Sequence, residues 1–183
     1  MTEPHLAVRL PDISTLRRRC QALAMLDAIL CPESEYRYYS YDQGFAPGRR
    51  LASMSDGSGN EYSIVFSPSG AEIRGSAQRA EGPPATVVLS RGRADDRWQG
   101  ESDPDAEAMF EVLVAGTPEA YHRFAQDYFE VDLDLDAVAR ILAHAPLTGE
   151  LVHKLTRHAR VEDLIDDCAS IGWALSGRVP ANH

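Results

Sequence analysis

Apolar residues recur at helical spacing near the start of the chain. Asp12 or Ser14 can accept backbone N–H bonds in the first turn, and Pro32 disfavours helical geometry at the residue before it. The pattern therefore predicts an amphipathic helix over residues 12–31, with the three consecutive arginines 17–19 mostly on a solvated face. Its apolar positions follow the i, i+3, i+4, i+7 repeat and are Ile13, Leu16, Cys20, Leu23, Met25, Leu26, Ile29 and Leu30.

A block of short β-branched and aromatic runs follows this helix. Residues that favour turns separate the runs, and the clearest such turn is the glycine-rich stretch 56–60. Because an apolar strand and not a helix follows that stretch, it is typical of a hairpin and not of a phosphate cradle. The block predicts an antiparallel meander of about four to six strands over residues 35–89. The runs are 35–41, 51–54, 61–66, 71–76 and 85–89.

The second half of the chain is predicted to be mainly helical. Residues 90–104 are polar and rich in charge, which predicts a flexible loop, and residues 105–115 fit a helix and a strand equally well. Thr117 and Pro118 form a helix start, and that helix should reach about Phe129. Gly172 is a natural helix C-cap, and residues 178–183 are expected to be a frayed tail. Further helices are predicted from Asp134 or Asp136 to before Pro146, over Thr148–Leu155 and over Val161–Ile171.

These elements predict a single α+β domain over residues 1–183, since one core commonly serves a chain of this length. The formal net charge of -10 repels phosphate backbones, which argues against nucleic acid and favours a basic partner. The first residues lack the features of a secretory signal, and no apolar run is long enough to span a membrane. With three cysteines, one stays unpaired in any disulfide scheme, so we expect a soluble cytoplasmic protein.

Metal and nucleophile chemistry find little support in the residue spacing. Glu130, Asp132, Asp134 and Asp136 alternate with apolar residues, but residues six and twelve of an EF-hand starting at Asp132 would both be alanine. Helix capping and a solvated edge explain these carboxylates better. The histidines lack zinc spacing, and His144 fits an imidazole at a helix C-terminus. We expect neither a metal nor a cofactor, and the sequence contains no recognisable catalytic motif.

The most unusual segment holds Tyr36, Tyr38, Tyr39 and Tyr41 within six residues. In a strand, the first two would share one face and the last two the other, so one pair should pack in the core and the other should reach solvent or a pocket. Tyrosine combines apolar area with a hydroxyl, and it is enriched at protein interfaces.

The helix, the RYYSYD segment and the DGSGNEYSIVFSPSG turn and strand resemble a family of small bacterial α+β proteins of uncharacterised function. The similarity covers about residues 13–78 and 105–172, including the C-terminal segments FAQDYFE and AHAPLT. The chain departs from the family in its short, polar middle. The resemblance implies the fold, with no catalytic residues to transfer, and by analogy suggests the small proteins that bacteria use for immunity against toxins.

Two functional hypotheses follow. The first is a protein-binding module of the immunity or neutralising type, which would hold a basic partner through an acidic, tyrosine-bearing surface. The second is a small-molecule enzyme or ligand-binding protein with a pocket between the sheet and the C-terminal helices. The second would use tyrosine hydroxyls, Glu61, Arg74 or His144 as acid, base or anchor.

Overall fold

The computed structural model describes residues 5–176. It confirms the α+β prediction, with an N-terminal helical part, a six-stranded antiparallel sheet and C-terminal helices. The helices are α1 (Leu6–Arg9), α2 (Ile13–Leu30), α3 (Pro104–Glu107), α4 (Glu111–Ala115), α5 (Pro118–Tyr128), α6 (Leu135–Leu142), α7 (Gly149–Leu155) and α8 (Ile165–Ile171). The strands are β1 (Tyr39–Ala46), β2 (Arg49–Ser55), β3 (Glu61–Ser67), β4 (Gly70–Ala77), β5 (Ala85–Gly92) and β6 (Gln99–Ser102).

Helix α2 forms where the apolar repeat predicts it. The side chain of Asp12 accepts a hydrogen bond from the backbone N–H of Thr15 at 2.8 Å, which satisfies one free donor of the first turn. Of the arginine triplet, Arg18 is exposed, whereas Arg19 is half-buried and donates to the carbonyl oxygens of Leu113 and Val114. Arg19 therefore ties α2 to the end of α4.

The strands form a meander in the order β1 to β6, as predicted, and every neighbouring pair is antiparallel. The glycine-rich stretch is the hairpin between β2 and β3. The carboxylate of Asp56 accepts hydrogen bonds there from the backbone of Ser58 at 2.8 Å and from the side chain of Asn60 at 2.6 Å. This local bonding explains why the segment forms a turn.

The first strand begins later than predicted. Ser34–Tyr36 form a single 3₁₀ turn, and β1 starts only at Tyr39. Tyr36 and Tyr38 therefore do not share a strand face. The physical reason is the carboxylate of Asp27, which binds the backbone N–H groups of Tyr38 and Tyr39 and holds the chain close to α2 before the sheet begins.

The prediction of a flexible loop over residues 90–104 is wrong. Strand β5 continues to Gly92, and residues 99–102 form β6, which pairs with β5. Trp98 is buried and donates its indole N–H to the carbonyl of Pro11 at 2.8 Å. Polar composition was misleading here because β6 is an edge strand whose side chains are mostly exposed.

The ambiguous segment 105–115 is helical, with α3, a 3₁₀ turn and α4 in succession. The C-terminal helices lie close to the predicted bounds, except that Val161–Leu164 form a 3₁₀ turn before α8. Gly172 ends α8 with φ = 82°, a left-handed geometry that favours glycine. The predicted tail at 178–183 lies outside the described residues.

The helices pack on one face of the sheet, where alternate strand residues are buried. The opposite face is open and carries small polar residues such as Ser53, Ser63 and Ser90. The core between the layers is continuous from α2 through the sheet to α8. Among residues 5–176, no helix is long and apolar enough to cross a membrane.

Candidate functional site

The antiparallel register gives the sheet two chemically different ends. At one end lie the start of β1, the end of β2 and the start of β3, around Tyr39, Ser55 and Glu61. We call it the tyrosine end. At the other end lie the β1–β2 hairpin and the β3–β4 turn, around Arg49 and Ser67. We call it the arginine end.

The tyrosine end is built on a buried carboxylate. Asp27, on α2, is entirely inaccessible to solvent and is the only charged residue buried to that degree in the described chain. One oxygen accepts the backbone N–H groups of Tyr38 at 2.9 Å and Tyr39 at 2.8 Å, and the other accepts the hydroxyl of Tyr121 at 2.6 Å. Burial raises the pKa of Asp27 to about 7, while these three donors oppose the shift.

Sequence reasoning did not single out Asp27, although a signal was present. Asp27 lies next to Leu26 and four residues after Leu23, both on the apolar side of α2. An acidic residue at such a position needs partners, because an isolated buried charge is strongly unfavourable. The identity of those partners follows only from the tertiary fold, which brings Tyr121, far along the chain, next to Asp27.

An exposed aromatic surface lies above this carboxylate, formed by Tyr36, Tyr38 and Tyr128, and we call it the tyrosine patch. Tyr36 is 64% exposed and Tyr128 is 39% exposed, whereas Tyr38 is half-buried. The Tyr128 hydroxyl donates to the backbone carbonyl of Tyr36 at 3.0 Å. The Tyr38 ring packs edge-on against Tyr128 and Phe124, with centroids 5.1 and 4.7 Å apart. The patch is therefore held in place before any partner arrives.

Arg37 fixes the backbone between the tyrosines. Its guanidinium makes a two-pronged ion pair with Asp167 at 2.6 and 3.2 Å, and it also donates to the carbonyls of Cys31 and Pro32. Its side chain is only 11% exposed. Arg37 thus anchors the 3₁₀ turn that presents Tyr36 to solvent, and it does not contribute a free positive charge to the patch.

Carboxylates surround the tyrosine patch along the chain. Glu33 and Glu35 precede Tyr36, and Asp127 and Glu130 flank Tyr128; all four are exposed. None of the four forms an ion pair within residues 5–176. The tyrosine patch is therefore flanked in the sequence by exposed carboxylates.

The predicted carboxylate row 130–136 has several roles. Glu130 is exposed, with φ = 56°, and Asp132 lies 2.7 Å from the imidazole of His122. Asp134 caps α6 by accepting the backbone N–H of Ala137 at 3.0 Å. In the described part of the chain, no cluster of three or more histidine, cysteine or acidic residues could hold a metal ion.

Two of the predicted tyrosines lie inside the fold. Tyr39 and Tyr41 are buried in the core on the helix-covered face of β1. The surface pair expected from the sequence is therefore Tyr36 and, in part, Tyr38, although through a 3₁₀ turn and not a strand face. Tyr128, which sequence reasoning did not select, completes the patch because α5 ends beside Tyr36.

The residues of the second hypothesis lie in separate places. Glu61 and Arg74 line one shallow cleft of about 400 Å³ on the open face of the sheet, away from the helices. His144 is half-buried on the helical side, where it lies 2.7 Å from the carbonyl of Arg18 and stacks on Trp173. Because that partner is a carbonyl, the imidazole Nε2 donates. Burial lowers the pKa of His144, which disfavours the charged form of the ring.

The cysteines have the character of core residues. Cys20, Cys31 and Cys168 are all buried and unpaired. Burial raises the pKa of each thiol, to about 11 for Cys168, where the charge of Asp167 adds to the effect. A raised pKa disfavours the thiolate that nucleophilic chemistry needs.

Comparison with known proteins gives no identification. The chain matches no family model, and no curated protein or solved structure is significantly similar to it. The site must therefore be interpreted from its own geometry.

Proposed function

We propose that the protein is a binding module of the neutralising type, which captures a basic protein through the tyrosine patch. The observation that carries the proposal is the pair of exposed tyrosines, Tyr36 and Tyr128, joined by a hydrogen bond from the Tyr128 hydroxyl to the Tyr36 backbone carbonyl. Exposed carboxylates that form no ion pair within residues 5–176 flank them in the sequence. Large amphipathic aromatics with fixed positions are typical of residues that contribute most to protein binding.

Rigidity supports this function. Tyr38 is held by its backbone bond to Asp27 and by ring contacts with α5, and Arg37 holds the segment between Tyr36 and Tyr38. A surface that is ordered before binding loses less conformational entropy when the partner docks. A flexible loop with the same tyrosines would bind more weakly for the same contact area.

Charge supports the choice of a basic partner. The exposed carboxylates at positions 33, 35, 127 and 130 add to an overall charge of -10. Such a field accelerates encounter with a positively charged protein and repels acidic competitors. We do not propose the pocket enzyme, because Glu61 and Arg74 face away from the helices while His144 is bonded among them.

Native mass spectrometry of the protein isolated gently from its own host tests the proposal. We expect a stoichiometric complex with a second, basic polypeptide. The double variant Tyr36→Ala, Tyr128→Ala should weaken that complex by at least about 30-fold, since each of two central aromatics contributes more than about 1 kcal/mol. Phe45→Ala is the matched control, because Phe45 is an aromatic residue 46% exposed at the arginine end.

Two further outcomes decide the question. The variant Glu33→Gln, Glu35→Gln should slow association and reduce its dependence on salt. A complex that survives the loss of both tyrosines, or that responds equally to Phe45→Ala, would show that the patch is not the binding surface. Isolation of the protein with no polypeptide partner would count against the binding-module function itself.

A further inference from the structure

A cleft at the arginine end carries positive charge on an otherwise acidic protein. It has a volume of about 420 Å³ and lies between the first half of α2, the β1–β2 hairpin and the β3–β4 turn. Three arginines are among the residues that line it: Arg17 on α2, and Arg49 and Arg50 at the start of β2. Uncharged groups, including Gln43 and Ser67, line the rest of the cleft.

These three arginines have no counter-ion among the residues that the structure describes. Within residues 5–176, none of them forms an ion pair or a side-chain hydrogen bond, although the chain contains many more acidic than basic residues. No acidic residue lines this cleft among residues 5–176. Like charges around one cleft repel one another, and an anion would relieve that repulsion.

A buried hydroxyl beside the cleft provides an independent observation. Tyr41 is 5% exposed, and its hydroxyl has no hydrogen-bond partner in the described part of the chain. Its ring lies beside Phe66, which lines the cleft, with centroids 6.5 Å apart. The charges of Arg50 and Arg17 both act on this hydroxyl. A buried hydroxyl without a partner is unfavourable, and a ligand oxygen that reached it would satisfy it.

We propose that this cleft binds a small phosphorylated molecule, with Arg17 and Arg50 holding the phosphate oxygens and the Tyr41 hydroxyl donating to one of them. Guanidinium groups match phosphate geometry through paired N–H donors, and the cleft has room for a phosphate and a small organic group. This site is at the opposite end of the sheet from the tyrosine patch and does not depend on the proposed protein partner.

Calorimetric titration of the purified protein with inorganic phosphate, pyrophosphate and citrate at constant ionic strength tests the assignment. We expect saturable binding of one pyrophosphate per chain, weaker binding of phosphate, and at least tenfold weaker binding of citrate. Citrate binding as tight as that of pyrophosphate would overturn the phosphate assignment. No saturable binding of any probe up to millimolar concentrations would overturn the site.

Arginine variants distinguish a site from a general charge effect. Arg17→Gln and Arg50→Gln should each weaken pyrophosphate binding by about tenfold, as expected for loss of a charge-assisted bond. The matched control is Arg97→Gln, which removes the same charge from a side chain 78% exposed, with Asp96 as its ion-pair partner. The control should retain its affinity within about twofold. Equal losses in all three variants would mean that net charge alone attracts the anion.

The variant Tyr41→Phe separates binding from folding. Because the hydroxyl has no partner in the fold, its removal should leave the thermal midpoint of the free protein unchanged or higher. The same change should weaken pyrophosphate binding about threefold to tenfold if the hydroxyl donates to the ligand. Unchanged affinity would remove Tyr41 from the site, and a lower midpoint without ligand would show that the hydroxyl has a structural partner.

Discussion

The two ends of the sheet use arginine in opposite ways. At the tyrosine end, Arg37 is nearly buried, pairs with Asp167 and donates to two backbone carbonyls. At the arginine end, Arg17, Arg49 and Arg50 line an open cleft without an ion pair among the described residues. Residue type alone therefore does not determine whether an arginine has a structural or a binding role. An arginine whose N–H donors bond to the protein stabilises the fold, whereas one whose donors are not bonded is available to a ligand.

The tyrosine hydroxyls show the same contrast. Tyr121 donates to Asp27 at 2.6 Å, and Tyr128 donates to the carbonyl of Tyr36 at 3.0 Å. Further along β1, the buried hydroxyl of Tyr41, on which the charges of Arg17 and Arg50 act, has no hydrogen-bond partner among residues 5–176. At the tyrosine end, the polar groups named above therefore have hydrogen-bond partners within the described part of the chain, while the arginine side chains that line the cleft at the arginine end do not. Stability should respond strongly to changes at the first end and weakly to changes at the second.

The largest effect is expected from Asp27→Ala. This change leaves the N–H groups of Tyr38 and Tyr39 and the hydroxyl of Tyr121 buried without their acceptor. Each such group is unfavourable by about 1–3 kcal/mol, so the free energy of unfolding should fall by at least about 3 kcal/mol in urea denaturation. Asp127→Ala, at an exposed site, is the control and should change it by less than about 0.5 kcal/mol. A small effect of Asp27→Ala would contradict the expectation that stability depends more strongly on the tyrosine end than on the arginine end.

The pH dependence of Asp27 is the next largest effect. Its pKa is about 7 in the folded protein, against a usual value of 3.8, so between these values the folded chain keeps a proton that the unfolded chain has lost. Asp27 should therefore stabilise the fold most at low pH, and its contribution should decline as pH rises towards 7.

The comparison with Asp27→Asn isolates this contribution, because asparagine does not titrate. The stability of the natural protein relative to the variant should fall by about 2 kcal/mol between about pH 5 and pH 7.5, measured by urea denaturation. Carboxyls with a lowered pKa, such as Asp56 and Glu107, titrate below this window. A difference that is constant or rises with pH would show that Asp27 is ionised throughout.

Local patterns predicted much of the fold. The helical repeat of α2, its N-cap and the turn at Asp56 depend on residues close together in the chain. The repeat and the turn were predicted correctly, and Asp12 was one of the two predicted caps. Strand β6 was missed because an edge strand with exposed side chains lacks the apolar alternation that marks a half-buried strand.

The functional regions depend on contacts between distant residues. Tyr128 and Tyr36 are 92 positions apart, and the arginine cleft joins α2 to two separate hairpins. The sequence indicated the tyrosine cluster but could not indicate which rings would be exposed. That outcome depends on Asp27 and Arg37, whose partners are set by the tertiary fold.

A moderate effect is expected from Arg37→Gln. The change removes the ion pair with Asp167 and the hydrogen bonds to the carbonyls of Cys31 and Pro32. The Arg37 side chain is mostly buried. We expect a loss of about 2 kcal/mol in the free energy of unfolding, since hydrogen bonds to charged groups contribute about 1.5–3 kcal/mol. Affinity for pyrophosphate at the arginine end should stay the same. Arg97→Gln again serves as the control, and an equal loss there would attribute the effect to net charge.

The smallest effect on stability is expected from Arg50→Gln. Arg50 is exposed and has no ion-pair partner in the described chain, and it lines the same cleft as Arg17 and Arg49. Its removal eliminates like-charge repulsion and breaks no bond, so the free energy of unfolding should change by less than about 0.5 kcal/mol and in the stabilising direction at low salt. A loss as large as that of Arg37→Gln would mean that the arginines hold this end of the sheet together. The two ends would then share one structural role, and the unsatisfied groups of the cleft could no longer be assigned to a ligand.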